Sequence, residues 1–365
     1  MKAAVLYETN TPLVIEDVDI DPPKAFEVKV KLAVTGVCHS DLHFMTGHAP
    51  IRTPAVLGHE GSAVVSEIGE GVTSVQPGDH VILSFSSYCG RCESCLLGHR
   101  NSCDAHQRDS GKMFDGTSRI HIGGQDLTQM VKLGCFGEEA VVPETGVVKI
   151  DPSIPLESAA LIGCSVTTGV GSAIYAAGVH PGSTVAVIGV GGVGLNIVQG
   201  ARVAGASRII AVDLNDAALE FATRFGATHS VNPRNGDPVK AVRDLTEGKG
   251  ADYTFEAIGL PETVTMAFEA ARKHGTAVVA GISPFGESAS IDPVMLVRQE
   301  KTLKGAYYGS SKPPLDFYHM VEMYETGQID IDGLITRSYK LEQVNEAYEE
   351  LARGAVGRGV IRFDD

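Results

Sequence analysis

Four cysteines fall within fifteen positions as Cys89-X2-Cys92-X2-Cys95-X7-Cys103, and four thiolates so spaced can close a tetrahedral shell around Zn²⁺. Four protein ligands leave no open position for water, so such a site is structural. An iron–sulfur cluster is the alternative use of four cysteines, and a set of unrelated thiols the plainest one. Ligand-capable residues also crowd three other segments: Gly36-Val37-Cys38-His39-Ser40-Asp41-Leu42-His43, Gly58-His59-Glu60 and Gly163-Cys164. One imidazole and two thiolates leave a fourth position open, as catalytic zinc requires, but spacing alone does not unite segments this far apart. A third pattern, Gly189-Val190-Gly191-Gly192-Val193-Gly194, sits between an apolar run and a stretch of small and apolar residues. Glycines at a strand-to-helix turn let a dinucleotide pyrophosphate approach the backbone and the helix N-terminus. Asp213 ends the next apolar run, where a carboxylate suits the ribose hydroxyls of NAD.

The elements that must carry these groups divide the chain in two. Its 365 residues predict about two domains, and 43% hydrophobic with 21% charged residues predicts a globular chain. The first half alternates in short strands, such as Val28 to Val34, Ser62 to Ile68 and His80 to Leu83. From about residue 166 the rhythm becomes strand, turn, helix, as in Ser183 to Ile188 followed by Leu195 to Ala204, which implies a parallel sheet covered on both faces. The net charge of −15 argues against a phosphate backbone as partner. The apolar runs at 185–193 and 277–280 fall short of the ~20 residues that span a bilayer, and the N-terminal residues lack a signal peptide's apolar core. No membrane partner and a cytoplasmic location are therefore expected, with the seven cysteines reduced.

In this order the segments resemble the zinc-containing alcohol dehydrogenases of the medium-chain dehydrogenase/reductase superfamily along essentially the whole chain. The likeness is carried by the Cys38 segment, Gly58-His59-Glu60-Gly61, the four-cysteine lobe, Gly163-Cys164-Ser165-Val166-Thr167-Thr168-Gly169 and the glycine fingerprint. Within the superfamily the chain is most similar to bacterial aryl and allylic alcohol dehydrogenases and to nicotinoprotein alcohol dehydrogenases. The resemblance implies an α/β protein: a GroES-like, mainly-β catalytic domain over 1–165 and 308–365, and a Rossmann doubly wound parallel-sheet coenzyme domain over 166–307. It implies NAD and two Zn²⁺ per chain, one in the four-cysteine lobe and one on Cys38, His59 and Cys164.

The remaining roles are carried over position by position. Asp41 orients His59, Glu60 lies beside the metal, and Ser40 passes the alcohol proton through the nicotinamide ribose to His43. Thr168 and Val193 pack near the nicotinamide, Arg358 meets the pyrophosphate, and His39 stands where many liver-type members have arginine. Phe85, Ile282 and Tyr307 line the substrate pocket, with Met130 to Leu133 contributing. Polyol and threonine dehydrogenases usually have glutamate where this chain has Cys164, and glutathione-dependent formaldehyde dehydrogenases usually have tyrosine where it has His43.

The implied activity is hydride transfer between a primary aryl, allylic or medium-chain alcohol and NAD. Alternatives are an S-(hydroxymethyl)glutathione dehydrogenase, a nicotinoprotein with permanently bound NAD, and, from another class, a non-catalytic zinc-stabilised nucleotide-binding protein. The long connection from Cys103 to Cys135 resembles the one that liver-type dimers retain and many tetrameric relatives shorten, which implies a homodimer over a homotetramer.

Overall fold

Alternation along Glu27–Gly36 builds the central strand of the first unit: Val28, Val30, Leu32 and Val34 are buried, while Lys31 is exposed and Lys29 reaches Glu139 at 2.8 Å on the neighbouring strand. In this computed structural model, which describes residues 1–363, that strand pairs antiparallel with Gly61–Ile68, Arg358–Arg362 and Glu139–Pro143. His80–Leu83, Val147–Lys149 and Ile335–Tyr339 complete a seven-stranded sheet. A four-stranded sheet around Lys2–Leu6 adds the apolar cluster of Ala3, Val5, Leu57, Phe136, Val344 and Tyr348. This unit comprises Met1–Cys164, Lys312–Glu322 and the chain from Ile331 onward.

The second unit comprises Ser165–Ser311 and Met323–Asp330. Its strands read as continuous apolar runs because both faces are covered, as in Thr184–Ile188 and Arg208–Val212. Six parallel strands lie in the order His229–Val231, Arg208–Val212, Thr184–Ile188, Ala251–Glu256, Ala271–Val279, Thr302–Gly305. Numbered along the chain this is 3-2-1-4-5-6, the doubly wound order that binds dinucleotides at the reversal point.

Two expectations need correction. The division expected at 308–365 overlooks Met323–Asp330, which belongs to the second unit. Gln199 there exchanges hydrogen bonds with the Asp330 backbone at 3.2 and 2.7 Å, and Arg202 donates to the Gln328 carbonyl at 2.7 Å. A 22-residue helical stretch, Leu156–Ala177, is long and apolar enough to cross a membrane by length and composition, unlike the shorter runs seen in the sequence. Its side chains are largely buried inside the protein, which marks it as a core helix, and its glycines, serines and threonines disguised its length.

Candidate active site

The strand Glu27–Gly36 delivers Cys38 to the N-cap of the helix His39–Met45, and that helix carries Ser40, Asp41 and His43. His59 lies just before the strand Gly61–Ile68, and Cys164 lies in the helical stretch that begins at Leu156. These three residues, remote in sequence, place their ligand atoms within 4.8 Å of one another, all buried. Cys164 Sγ stands 3.4 Å from His59 Nε2. On the other side of the ring, His59 Nδ1 is 3.0 Å from Asp41 Oδ1, an arrangement that leaves Nε2 free to face the thiols.

The electrostatics of the cluster suit a divalent cation. A hydrogen bond from Cys164 leads in holding the Cys38 thiol well below its usual range, against burial and with help from His59 and Arg358. The same bond, reinforced by burial, pushes Cys164 well up. Burial opposes charge on His59, but Asp41 and Cys38 outweigh it and hold the imidazole well above its usual range. Two sulfurs and an imidazole that share protons in a buried cluster are the donor set a divalent ion would occupy by displacing those protons.

The four-cysteine lobe also converges, with its sulfurs within 4.8 Å and Cys92 Sγ 3.9 Å from Cys103 Sγ. That separation is far beyond the ~2.05 Å of a disulfide, and the seven cysteines are all free. The Cys89 N–H donates to Cys103 Sγ at 3.3 Å. Burial raises the Cys89 thiol, yet the N–H groups of Arg91 and Cys92 bring it down to about 7, whereas burial pushes Cys95 up to about 12. The lobe therefore already contains one easily ionised sulfur around which a metal shell can form.

Glu60 and Arg358 form a buried ion pair, the two side chains 0% and 4% exposed. The Arg358 guanidinium donates to Glu60 Oε2, and its Nε has no partner among the described residues. Gly36 makes room for the pair, because a Cβ there would lie 2.4 Å from Glu60 Oε2.

In the first unit Ser40 Oγ lies 3.8 Å from Cys38 Sγ, and His43 is half-buried with its ring 5.8 Å from that of exposed His48. His39 is exposed. Phe85 packs edge-on against the His59 ring at 5.6 Å and 80°. Met130 and Leu133, expected beside the substrate, are instead 4% and 0% exposed, with Met130 in the apolar core. Lys132 turns inward between them, its ammonium donating to the carbonyls of Asp109 and Lys112, and this holds the segment against its own loop. Tyr348, which sequence reasoning did not single out, donates from its hydroxyl to Asp41 Oδ2 at 2.9 Å.

In the second unit the glycine turn has the geometry its pattern implies. Gly189 adopts φ +84°, and a Cβ on Gly194 would lie 1.8 Å from the Gly189 carbonyl oxygen. The helix Gly192–Val203 starts without a side-chain cap, so its first N–H groups remain available to an anion. Asp213 Oδ2 accepts from the Val190 N–H at 3.0 Å, which ties the acid at the end of one strand to the turn after its neighbour. Thr168 is buried on the helix Thr167–Gly171, which packs against the helix carrying Val193. Ile282 and Tyr307 are 48% and 40% exposed.

Comparison with known proteins agrees with this geometry. Residues 24–152 match the alcohol dehydrogenase GroES-like domain, and residues 192–326 match the zinc-binding dehydrogenase family. The chain is 42% identical to NDMA-dependent alcohol dehydrogenase of Amycolatopsis methanolica, over 99% of this chain and 98% of that one. It is 38% identical to S-(hydroxymethyl)glutathione dehydrogenase of Saccharomyces cerevisiae, over 100% and 96%. Benzyl alcohol dehydrogenase of Acinetobacter calcoaceticus superposes with a TM-score of 0.94 at 32% identity, covering 100% of this chain and 99% of that one.

Proposed function

This chain belongs to the zinc-dependent alcohol dehydrogenases of the medium-chain dehydrogenase/reductase superfamily, and from that premise we propose that it oxidises primary aryl, allylic or medium-chain alcohols to aldehydes with NAD. The observation that carries the reading is the convergence of Cys38, His59 and Cys164, backed by Asp41. We assign one Zn²⁺ to these three ligands and a second to Cys89, Cys92, Cys95 and Cys103. When bound, Zn²⁺ supplies a Lewis acid and NAD a hydride acceptor.

The chain's own residues do the rest. Asp41 fixes the tautomer and direction of His59. Ser40 accepts the alcohol's proton, and His43 returns it to solvent. Partial burial and the neighbouring His48 lower the pKa of His43, so it is neutral and able to accept a proton near pH 7. Alanine in place of His43 is expected to slow alcohol oxidation several-fold, most near neutral pH, with partial rescue by small added bases. A kcat profile with pH that coincides with the parent's would remove His43 from the relay.

Asp213 is the basis for preferring NAD over NADP. Its carboxylate accepts from a ribose 2′-hydroxyl and repels a 2′-phosphate. Asp213→Gly should raise kcat/KM for NADP relative to NAD by at least tenfold. Equal efficiency of the parent with both coenzymes would contradict this role.

Phe85 beside His59 favours an apolar substrate, each buried methylene contributing ~0.8 kcal/mol. The benzyl alcohol dehydrogenase likeness supports an aryl alcohol, while the yeast relative keeps the glutathione adduct as a second reading. Comparing kcat/KM for ethanol, hexanol, benzyl alcohol, sorbitol and S-(hydroxymethyl)glutathione decides between them. A preference for the adduct would install the second reading, and a preference for sorbitol would refute the apolar pocket. Whether NAD stays bound through turnover is read by denaturing the purified protein and assaying released coenzyme. The free thiols and the long Cys103–Cys135 connection fit a cytoplasmic homodimer, which light scattering tests as to mass.

A further inference from the structure

We infer that Tyr348 is a positioning residue of the metal centre: by holding the second oxygen of Asp41, its phenol fixes the imidazole of His59. The inference rests on the reading that Cys38, His59 and Cys164 hold zinc. Asp41 is fully buried, and its two oxygens have separate tasks. Oδ1 accepts from the Gly58 N–H at 3.1 Å and meets His59 Nδ1 at 3.0 Å, while Oδ2 accepts from the Tyr348 hydroxyl at 2.9 Å. Anchored through Oδ1 alone, the carboxylate could still turn about its own axis and carry the imidazole with it. The phenol on Oδ2 removes that freedom.

The donor is itself well fixed. Tyr348 lies on the helix Val344–Ala352, is 2% exposed, and belongs to the apolar cluster that includes Val344, Ala347 and Val37. Phe136 packs against its ring at 5.9 Å and 64°. Burial, with Asp41 adding to it, pushes the phenol well above its usual range, so it remains a donor at any working pH. Deleting the hydroxyl leaves Asp41 Oδ2 a buried acceptor without a donor, a loss that no water repairs in a packed core. The carboxylate then has reason to rotate toward another donor, and His59 loses its direction.

Tyr348→Phe tests this, since it keeps the ring and its packing on Phe136 while removing one oxygen. In the holoenzyme challenged with excess chelator, zinc leaves from two centres, and the four-cysteine lobe serves as an internal control. Release from the Cys38–His59–Cys164 centre should become roughly 10–100-fold faster, the range seen when partners outside the ligand shell are removed, with release from the lobe unchanged. Cobalt placed at the same centre should show a shifted visible spectrum, and kcat should fall while KM for the coenzyme stays constant. Unchanged release with an unchanged cobalt spectrum would make Tyr348 a packing residue. Equal acceleration at both centres would likewise overturn the proposal in favour of general destabilisation. A parent enzyme with no zinc on Cys38, His59 and Cys164 would instead overturn the underlying metal assignment.

Discussion

Cys164→Ala should lose turnover by far more than ~100-fold, the upper range for partners outside a metal's ligand shell, and should retain one zinc of the parent's two. The physical reason is that Cys164 Sγ stands 3.4 Å from His59 Nε2 in a buried cluster of three ligand atoms, and alanine removes one of the three. The four-cysteine lobe is a separate site and should stay loaded. Cys95→Ala is expected to do the reverse, lowering the melting temperature and releasing the lobe's zinc, because a closed site stabilises the fold directly. Zinc analysis of parent and both variants, beside alcohol-dependent NADH formation, checks the pair. One zinc per chain in a fully active parent would sink the assignment.

The second large effect concerns stability. Arg358→Met takes the guanidinium away from the Glu60 carboxylate in a site where both partners are at most 4% exposed. Breaking a buried pair from one side costs about 3–5 kcal/mol, and replacing both charges returns most of it. Arg358→Met should therefore lower the urea midpoint sharply, and Arg358→Met with Glu60→Gln should recover much of the loss. If Arg358 served mainly as a coenzyme contact at the surface, the single variant would raise KM for NAD and leave the urea midpoint where it was.

How much of this could be read from the sequence follows from how local each feature is. The four-cysteine lobe and the Gly189–Gly194 turn are contiguous, so residue types and spacing reveal them, and the alternation of Val28, Val30, Leu32 and Val34 marks their strand unaided. The Cys38, His59 and Cys164 centre is assembled by tertiary folding across more than a hundred residues, and only the family resemblance joined those positions. Arg358 and Tyr348 were less accessible still. Each meets its carboxylate partner across about three hundred residues, and neither an arginine nor a tyrosine carries a mark that says which acid it will find. The inward turn of Lys132 escaped notice because its acceptors are backbone carbonyls, which no side-chain pattern encodes.

Because Tyr348 and Arg358, which hold Asp41 Oδ2 and Glu60 Oε2, come from near the C-terminus, synthesis order matters. A growing chain has Cys38, His59 and the whole four-cysteine lobe long before it has Tyr348 and Arg358. At ~5–20 residues per second, the interval between Cys164 and Arg358 is on the order of 10–40 s. During that time all four cysteines of the lobe are available to one another, while Cys38, His59 and Cys164 are present without the phenol and the guanidinium that hold Asp41 and Glu60. The order of synthesis thus completes the four-cysteine ligand set well before the Cys38, His59 and Cys164 cluster has the two side chains that support it.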